Sequence, residues 1–359
     1  MSFYTSKDPV RCHIELTNHC NAACPMCGRH TVDGKAPYTM RLRKDVNTSA
    51  LSIGDVKKIF DDRFFNTYNF VAINMCGNRG DPAASKDLFE ICEYLFSKAP
   101  QLQIKIATNG GLKTPQYWGR LGAMFAKYGN KSKVTFGVDG LADTNHIYRQ
   151  NVDFNRVMKN AQGFIDNGGI AFWQFLVFKH NEHQIEEAKE LAKIMGFKDL
   201  FFIHTPRFAH TQGKDGTKTF TWQDKTYTLE TADPNFGKRQ DAEKFINSDE
   251  QEEVSCKAKN INEFYLDNAG RLIPCCWLGN SLDYLIASGE FRDRIMRLYD
   301  IDEMNVIKND LVDTLQHEFI NKTVPLAWNN LGKDCASHSC KMYCSKKRNL
   351  RKQKIGNWD

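Results

Sequence analysis

Between residues 10 and 205 the chain alternates two hydrophobic rhythms. The runs CHIEL (12–16), FVAINM (70–75), IKIAT (104–108), KVTFGV (133–138), AFWQFLVF (171–178) and LFFIH (200–204) have the length and composition of buried strands. Between them apolar residues recur every three or four positions, the spacing of one helix face. SIGDVKKIFDD (52–62) opens on a serine cap, SKDLFEICEYLFSKA (85–99) carries one apolar stripe, and NEHQIEEAKELAKIMG (181–196) stops at a glycine. Six strands alternating with helices predict parallel strands joined by crossover helices, as in a partial (β/α)6 TIM-type barrel. Such barrels carry their active sites at the C-terminal strand ends. The short motifs fall there: CGNRGDP after the second strand, TNGG after the third, DG after the fourth, KHN after the fifth.

Beyond residue 210 the rhythm is lost. GKDGTKTFTWQDKTYTLE (213–230) reads as a polar hairpin and NSDEQEEV (247–254) as a solvated charged run. The expected organisation is a barrel over 1–215, a hairpin and linker over 216–255, and a smaller cysteine-bearing module over 256–359. The first strand begins near residue 11, so no leader-binding domain is expected before it. The 41% hydrophobic content of the 359 residues supports a real core. No apolar run reaches the ~20 residues of a membrane span, and the N-terminus lacks the pattern of a signal peptide. A cytoplasmic protein is expected. The net charge of +6 owes much to the tail CSKKRNLRKQK (344–354). A basic tail alone is weak evidence for nucleic acid, and no aromatic–basic recognition motif accompanies it.

Twelve cysteines in such a chain need a reason, because a reducing cytosol disfavours structural disulfides. Cys12, Cys76 and Cys92 are scattered and read as small buried hydrophobes. Cys20, Cys24 and Cys27 lie together in HCNAACPMCGRH (19–30), directly after the first strand. One reading is a zinc site completed by His19 or His30, and another is an iron–sulfur site completed by a distant cysteine. A third is a cubane with three thiolate ligands and one open iron.

The C-x3-C-x2-C spacing and its place after the first strand resemble the radical S-adenosylmethionine (SAM) superfamily. The resemblance implies an enzyme with a 4Fe–4S cluster on Cys20, Cys24 and Cys27, whose open iron binds the amino and carboxylate groups of SAM. Reductive cleavage of the S–C5′ bond would give a 5′-deoxyadenosyl radical that abstracts a substrate hydrogen. Met26 matches the family's apolar residue against the adenine. Gly80 and Asp81 of RGDP match the turn that binds the SAM amino group, with Asp one methylene shorter than the usual Glu. Asn109 of TNG lies near the ribose or methionyl end. GVDG keeps Asp139 but has Gly137 where the family has serine. Arg149 of HIYRQ matches an arginine that pairs with the SAM carboxylate, a task suited to a guanidinium fork. Leu176 and Phe178 are candidates for the adenine wall.

The later cysteines add a second resemblance. Cys256 is followed by thirteen residues, Gly270, four more and Cys275. This pattern resembles the opening of SPASM and twitch modules, which carry auxiliary 4Fe–4S clusters. EFYLDNAGRLIPCC (263–276) reads as a hairpin turning at Asn268-Ala269-Gly270. The rest of a full SPASM module is missing, and only Cys335, Cys340 and Cys344 follow. One auxiliary cluster is expected, held by Cys256, Cys275 and two of the last three. A tail zinc site and two auxiliary clusters are the rival readings. Cys276 is surplus. On a strand it would point away from Cys275; it is either a small buried side chain or, by resemblance to twitch-bearing epimerases, a hydrogen donor to a substrate radical. The resemblance also implies a reductant protein such as flavodoxin or ferredoxin. The reaction would be oxidation, epimerisation or cross-linking of a peptide or small molecule. A non-catalytic iron–sulfur or zinc protein and an RNA-modifying enzyme are the alternatives.

Overall fold

The computed structural model describes residues 3–33, 38–43, 46, 49–129, 131–205, 207–208, 216–233, 254–280, 282, 294–328 and 337–344. In chain order the strands are β1 (Val10–Ile14), β2 (His30–Asp33), β3 (Tyr38–Leu42), β4 (Phe70–Met75), β5 (Gln103–Thr108), β6 (Lys133–Gly137), β7 (Ile170–Val177), β8 (Asp199–His204), β9 (Thr217–Trp222), β10 (Lys225–Glu230), β11 (Glu263–Leu266) and β12 (Leu272–Ile273). All six strands expected between residues 10 and 205 are present. The chain forms two compact units. One holds Met1–Glu15, Leu51–Asn74 and Lys244–Asp359, and the other holds Leu16–Ala50 and Met75–Glu243.

In the first unit the strands run in the order β12-β11-β1-β4. The expected hairpin forms: β12 lies antiparallel to β11, with Tyr265 opposite Ile273. Its turn is closed by Asp267, whose carboxylate accepts from the Ala269 and Arg271 amides, both at 2.9 Å. The hairpin has a second role that local patterning does not announce. β11 pairs in parallel with β1, Arg11 opposite Glu263 and Ile14 opposite Leu266. Helix α1 (Ile53–Ile59) opens on a capping box, with Ser52 and Asp55 each accepting from the other's amide. Helix α2 (Asp62–Thr67) follows. Their apolar faces bury Phe60 and Phe64 against Phe70, ring centroids 5.4 and 5.3 Å away.

In the second unit β5, β6, β7 and β8 pair in parallel in chain order. Helices α3 (Leu88–Lys98), α4 (Pro115–Tyr128), α5 (Asn145–Tyr148), α6 (Phe154–Asp166) and α7 (Ile185–Met195) are interspersed among these strands. Trp118 and Phe125 of α4 pack on Phe164 of α6, all buried. α7 ends at Gly196 in the left-handed conformation, φ +84°. A separate four-stranded sheet has the order β10-β9-β3-β2. It contains the polar hairpin β9–β10, whose two-residue turn Gln223-Asp224 has both φ values positive, as the right-handed twist of hairpins demands.

Candidate active site

The second unit contains Cys20, Cys24 and Cys27. Cys24 is buried, Cys20 and Cys27 are half-buried, and all three are free thiols. The loop closes on itself through Cys27 N–H to the Cys24 carbonyl at 3.0 Å, and is tied down by Ala23 N–H to the Gln150 carbonyl, also 3.0 Å. The sulfurs receive N–H groups: Ala22 N at 3.4 Å and Asn109 Nδ2 at 3.5 Å at Cys20, Arg149 Nη1 at 3.9 Å at Cys24. Burial pushes the Cys20 thiol up to about 12 and the Cys24 thiol up to about 11. Bound iron would offset that cost and hold both as thiolates. Among the described residues no three His, Cys, Asp or Glu side chains converge tightly enough to hold a single metal ion. Three thiols with N–H donors at two of the sulfurs fit the ligand set of a cluster, in which each thiolate takes a different iron.

The RGDP turn after β4 packs directly on this loop. Asp81 N–H donates to the His19 carbonyl at 2.8 Å. A Cβ on Gly80 would lie 1.8 Å from the Thr17 carbonyl oxygen, so only glycine fits that approach. The Asp81 carboxylate is buried and engaged within the protein. It accepts from the Asn109 amide at 2.7 Å, the Thr108 hydroxyl at 2.8 Å and the Ala83 amide at 2.9 Å. Burial raises its pKa and these donors oppose the rise. Asp81 therefore joins the RGDP turn to the TNGG loop after β5. Asn109 completes the link, with Nδ2 2.9 Å from Asn21 Oδ1 as well as near Cys20.

Asp139, after β6, is the second buried carboxylate. It accepts from Arg149 Nε and from the Leu176 amide, both at 2.6 Å, and its own carbonyl accepts from Asn181 Nδ2. Burial pushes its carboxyl up and Arg149 opposes this. Burial also disfavours the Arg149 cation, but Asp139, Cys24 and Tyr148 together outweigh it and the guanidinium stays charged. Gly137 owes its identity to this pair. A Cβ there would sit 2.6 Å from Arg149 Nη2. The space of the expected serine is taken by the arginine.

Leu176 is half-buried, whereas Phe178 is fully buried, enclosed by Tyr148, His180 and Phe208 at ring-centroid distances of 4.8, 5.3 and 6.0 Å. Phe178 packs within the aromatic core here. Met26 is buried, with its carbonyl accepting from Arg207 Nη1 at 2.7 Å. Three contacts escaped the sequence reading. Arg29 is buried and donates to the carbonyls of Asn18 and Arg79, the latter at 2.6 Å. Arg207 and Lys218 hold the loop carbonyls of Met26 and Pro25. Burial, then Arg207, lowers the Lys218 pKa. Arg29 stands inside the cysteine motif but its targets are not local, and Arg207 and Lys218 stand far from it in sequence; their roles have a signal only in three dimensions.

The C-terminal cysteines lie in the first unit. Cys256 caps a short helix, Lys257–Asn260, and Ser255 N–H donates to the Cys344 carbonyl at 2.8 Å. Burial raises the Cys275 thiol, and Cys276, Cys340 and Cys256 add to the rise. Cys340 is pushed up to about 12 by burial, then by Cys256 and Cys344. Cys256, Cys275, Cys340 and Cys344 thus share one neighbourhood. Cys335 lies outside the described residues. The hairpin strand ends at Ile273, and residues 276–280 are helical. Strand alternation therefore does not separate Cys276 from Cys275. Cys12 and Cys92 are buried as expected, and Cys76 is half-buried.

Residues 14–192 match the Radical SAM superfamily. The chain carries a radical SAM domain, and it is an enzyme. A radical SAM domain implies a 4Fe–4S cluster and SAM. Solved structures agree in fold. Native anSMEcpe with bound AdoMet is 16% identical, with a TM-score of 0.51 over 87% of this chain and 82% of that one. SuiB from Streptococcus suis bound to S-adenosylmethionine is 14% identical, with a TM-score of 0.53 over 97% and 75%. SuiB bound to its precursor peptide SuiA is 15% identical, with a TM-score of 0.53 over 98% and 74%. Curated proteins give no match. Among the described residues no helix is long and apolar enough to cross a membrane.

Proposed function

We propose that the chain binds a 4Fe–4S cluster through Cys20, Cys24 and Cys27 and uses it on SAM. The observation that carries this is the three-thiol loop with Asn109 and Arg149 N–H groups at two of its sulfurs. When bound, the cluster would supply the one electron for reductive cleavage of the S–C5′ bond of SAM, the chemistry by which such enzymes take a substrate hydrogen. Around it the chain supplies orientation and charge. Gly80 and the Asp81 turn present backbone toward the SAM amino group, Asn109 serves the ribose or methionyl end, and Leu176 with Met26 lines the adenine side. Arg149, its Nε fixed by Asp139, is the cation assigned to the SAM carboxylate. Anaerobic incubation with SAM and dithionite should yield 5′-deoxyadenosine, and the Cys20→Ala/Cys24→Ala/Cys27→Ala variant should yield none. Reductive cleavage by that variant would remove the assignment.

The C-terminal region is read as a twitch-like module with one auxiliary cluster on Cys256, Cys275, Cys340 and Cys344, supported by the mutual proximity of those four thiols. The substrate is read as a peptide or small molecule, to be oxidised, epimerised or cross-linked. Two structures of similar fold, anSMEcpe and SuiB, hold peptides in their complexes, which favours a peptide. Cys276 is read as a hydrogen donor to the substrate radical. A cytoplasmic one-electron donor such as flavodoxin or ferredoxin completes the system.

A further inference from the structure

Between Cys24 and Cys27 the chain has two residues, Pro25 and Met26. Each carbonyl accepts from a cation. Lys218 Nζ lies 2.8 Å from the Pro25 oxygen, and Arg207 Nη1 lies 2.7 Å from the Met26 oxygen. The two donors come from separate places, Lys218 from β9 and Arg207 from the turn after β8. Among the described residues neither pairs with a carboxylate, so neither charge is cancelled locally. This differs from Arg149, which Asp139 neutralises at 2.6 Å. Lys218 is half-buried, which limits screening by water, whereas Arg207 is exposed.

We propose that Arg207 and Lys218 form a cationic clamp on the cysteine loop that fixes the Pro25 and Met26 carbonyls and raises the reduction potential of the cluster bound there. One electron from an external one-electron reductant adds a unit of negative charge at the loop, and no bond breaks in that step. Uncancelled positive charge hydrogen-bonded to the two residues between the Cys24 and Cys27 ligands favours the reduced state. Net charge and hydrogen bonding around the sulfurs are among the levers that set such potentials. The clamp also turns both carbonyl oxygens toward the cations. Arg207 and Lys218 are positioning residues, acting through the Met26 and Pro25 carbonyls.

The proposal rests on the cluster assignment above, and one experiment separates the two. The holoenzyme is reconstituted with iron and sulfide, and the reduced-cluster electron paramagnetic resonance signal perturbed by added SAM is followed in a redox titration. In Arg207→Gln/Lys218→Gln that signal should need a lower potential. At fixed solution potential the reduced-to-oxidised ratio should fall about tenfold, equivalent to about 59 mV for one electron. Arg207→Lys/Lys218→Arg keeps both charges and should titrate like the parent. A SAM-perturbed signal that titrates unchanged in the glutamine variant overturns the clamp while leaving the cluster assignment standing. So does an equal drop in the charge-conserving variant, which would make the effect one of loop shape alone. If the parent's SAM-perturbed signal survives replacement of Cys20, Cys24 and Cys27 by alanine, the cluster assignment itself fails.

Discussion

Arg149 is held by Asp139 through Nε, faces Cys24 through Nη1, and lies over Gly137 through Nη2. Three motif residues that look independent in sequence are one mechanical group. Removing the guanidinium strands a carboxylate with no exposed side-chain surface. Arg149→Ala should therefore destabilise the cluster-free protein by about 3–5 kcal/mol in a denaturant melt. A loss below about 1 kcal/mol would mean Asp139 is neutral or finds another partner. Gly137→Ala attacks the same pair from the other side and should cost about 1–3 kcal/mol by crowding. The two losses should not add, because the crowding disappears with the arginine. Asp139 and Arg149 were legible as motif members. Their pairing, and the reason serine gives way to glycine, were not, since both depend on where a long side chain lands. Cys276 admits a test of its own: turnover in deuterated water should place one deuterium at the attacked carbon. Cys276→Ala should lose that product yet still form 5′-deoxyadenosine. Normal product from the variant would leave Cys276 a packing residue.

At the scale of elements the sequence was informative wherever the signal is local. Ser52 opens α1, Gly196 closes α7, and Gln223-Asp224 turns the polar hairpin, all by short-range backbone chemistry. The loop after β7 shows what local patterning hides. His180 stacks on Phe178, 5.3 Å between ring centroids, and both ring nitrogens are buried without a hydrogen-bond partner among the described residues. Burial, then His146 and His183, lowers its pKa to about 4. The unfolded chain, with an ordinary imidazole near 6.5, binds the proton more readily than the folded one. The contribution to stability is thus complete above pH 6.5 and is lost as pH falls from 6.5 to 4, a swing of up to about 3 kcal/mol. Urea melts of the parent should show this acid-side loss, and His180→Phe, which keeps a ring against Phe178, should flatten it. An unchanged pH profile in the variant would assign the loss to other groups.

At the scale of the whole molecule, contacts between distant residues were the least legible. Parallel pairing of β11 with β1 joins strands at opposite ends of the sequence and leaves no short-range trace, because parallel strands need a crossover and not a tight turn. The cysteine count, by contrast, constrains the assembly directly. Three ligands at one site and four at another require seven of the twelve cysteines, and Cys256, Cys275, Cys276, Cys340 and Cys344 share a neighbourhood in the first unit from which the second four can come. Two cubanes predict about eight irons per chain after anaerobic reconstitution. The variant lacking Cys20, Cys24 and Cys27 should retain about four, and Cys256→Ala/Cys275→Ala should retain about four with SAM cleavage capacity still present. About twelve irons in the parent would require a third cluster and bring Cys335 and Cys276 into the ligand set. About four irons with one zinc would make the C-terminal thiols a zinc site.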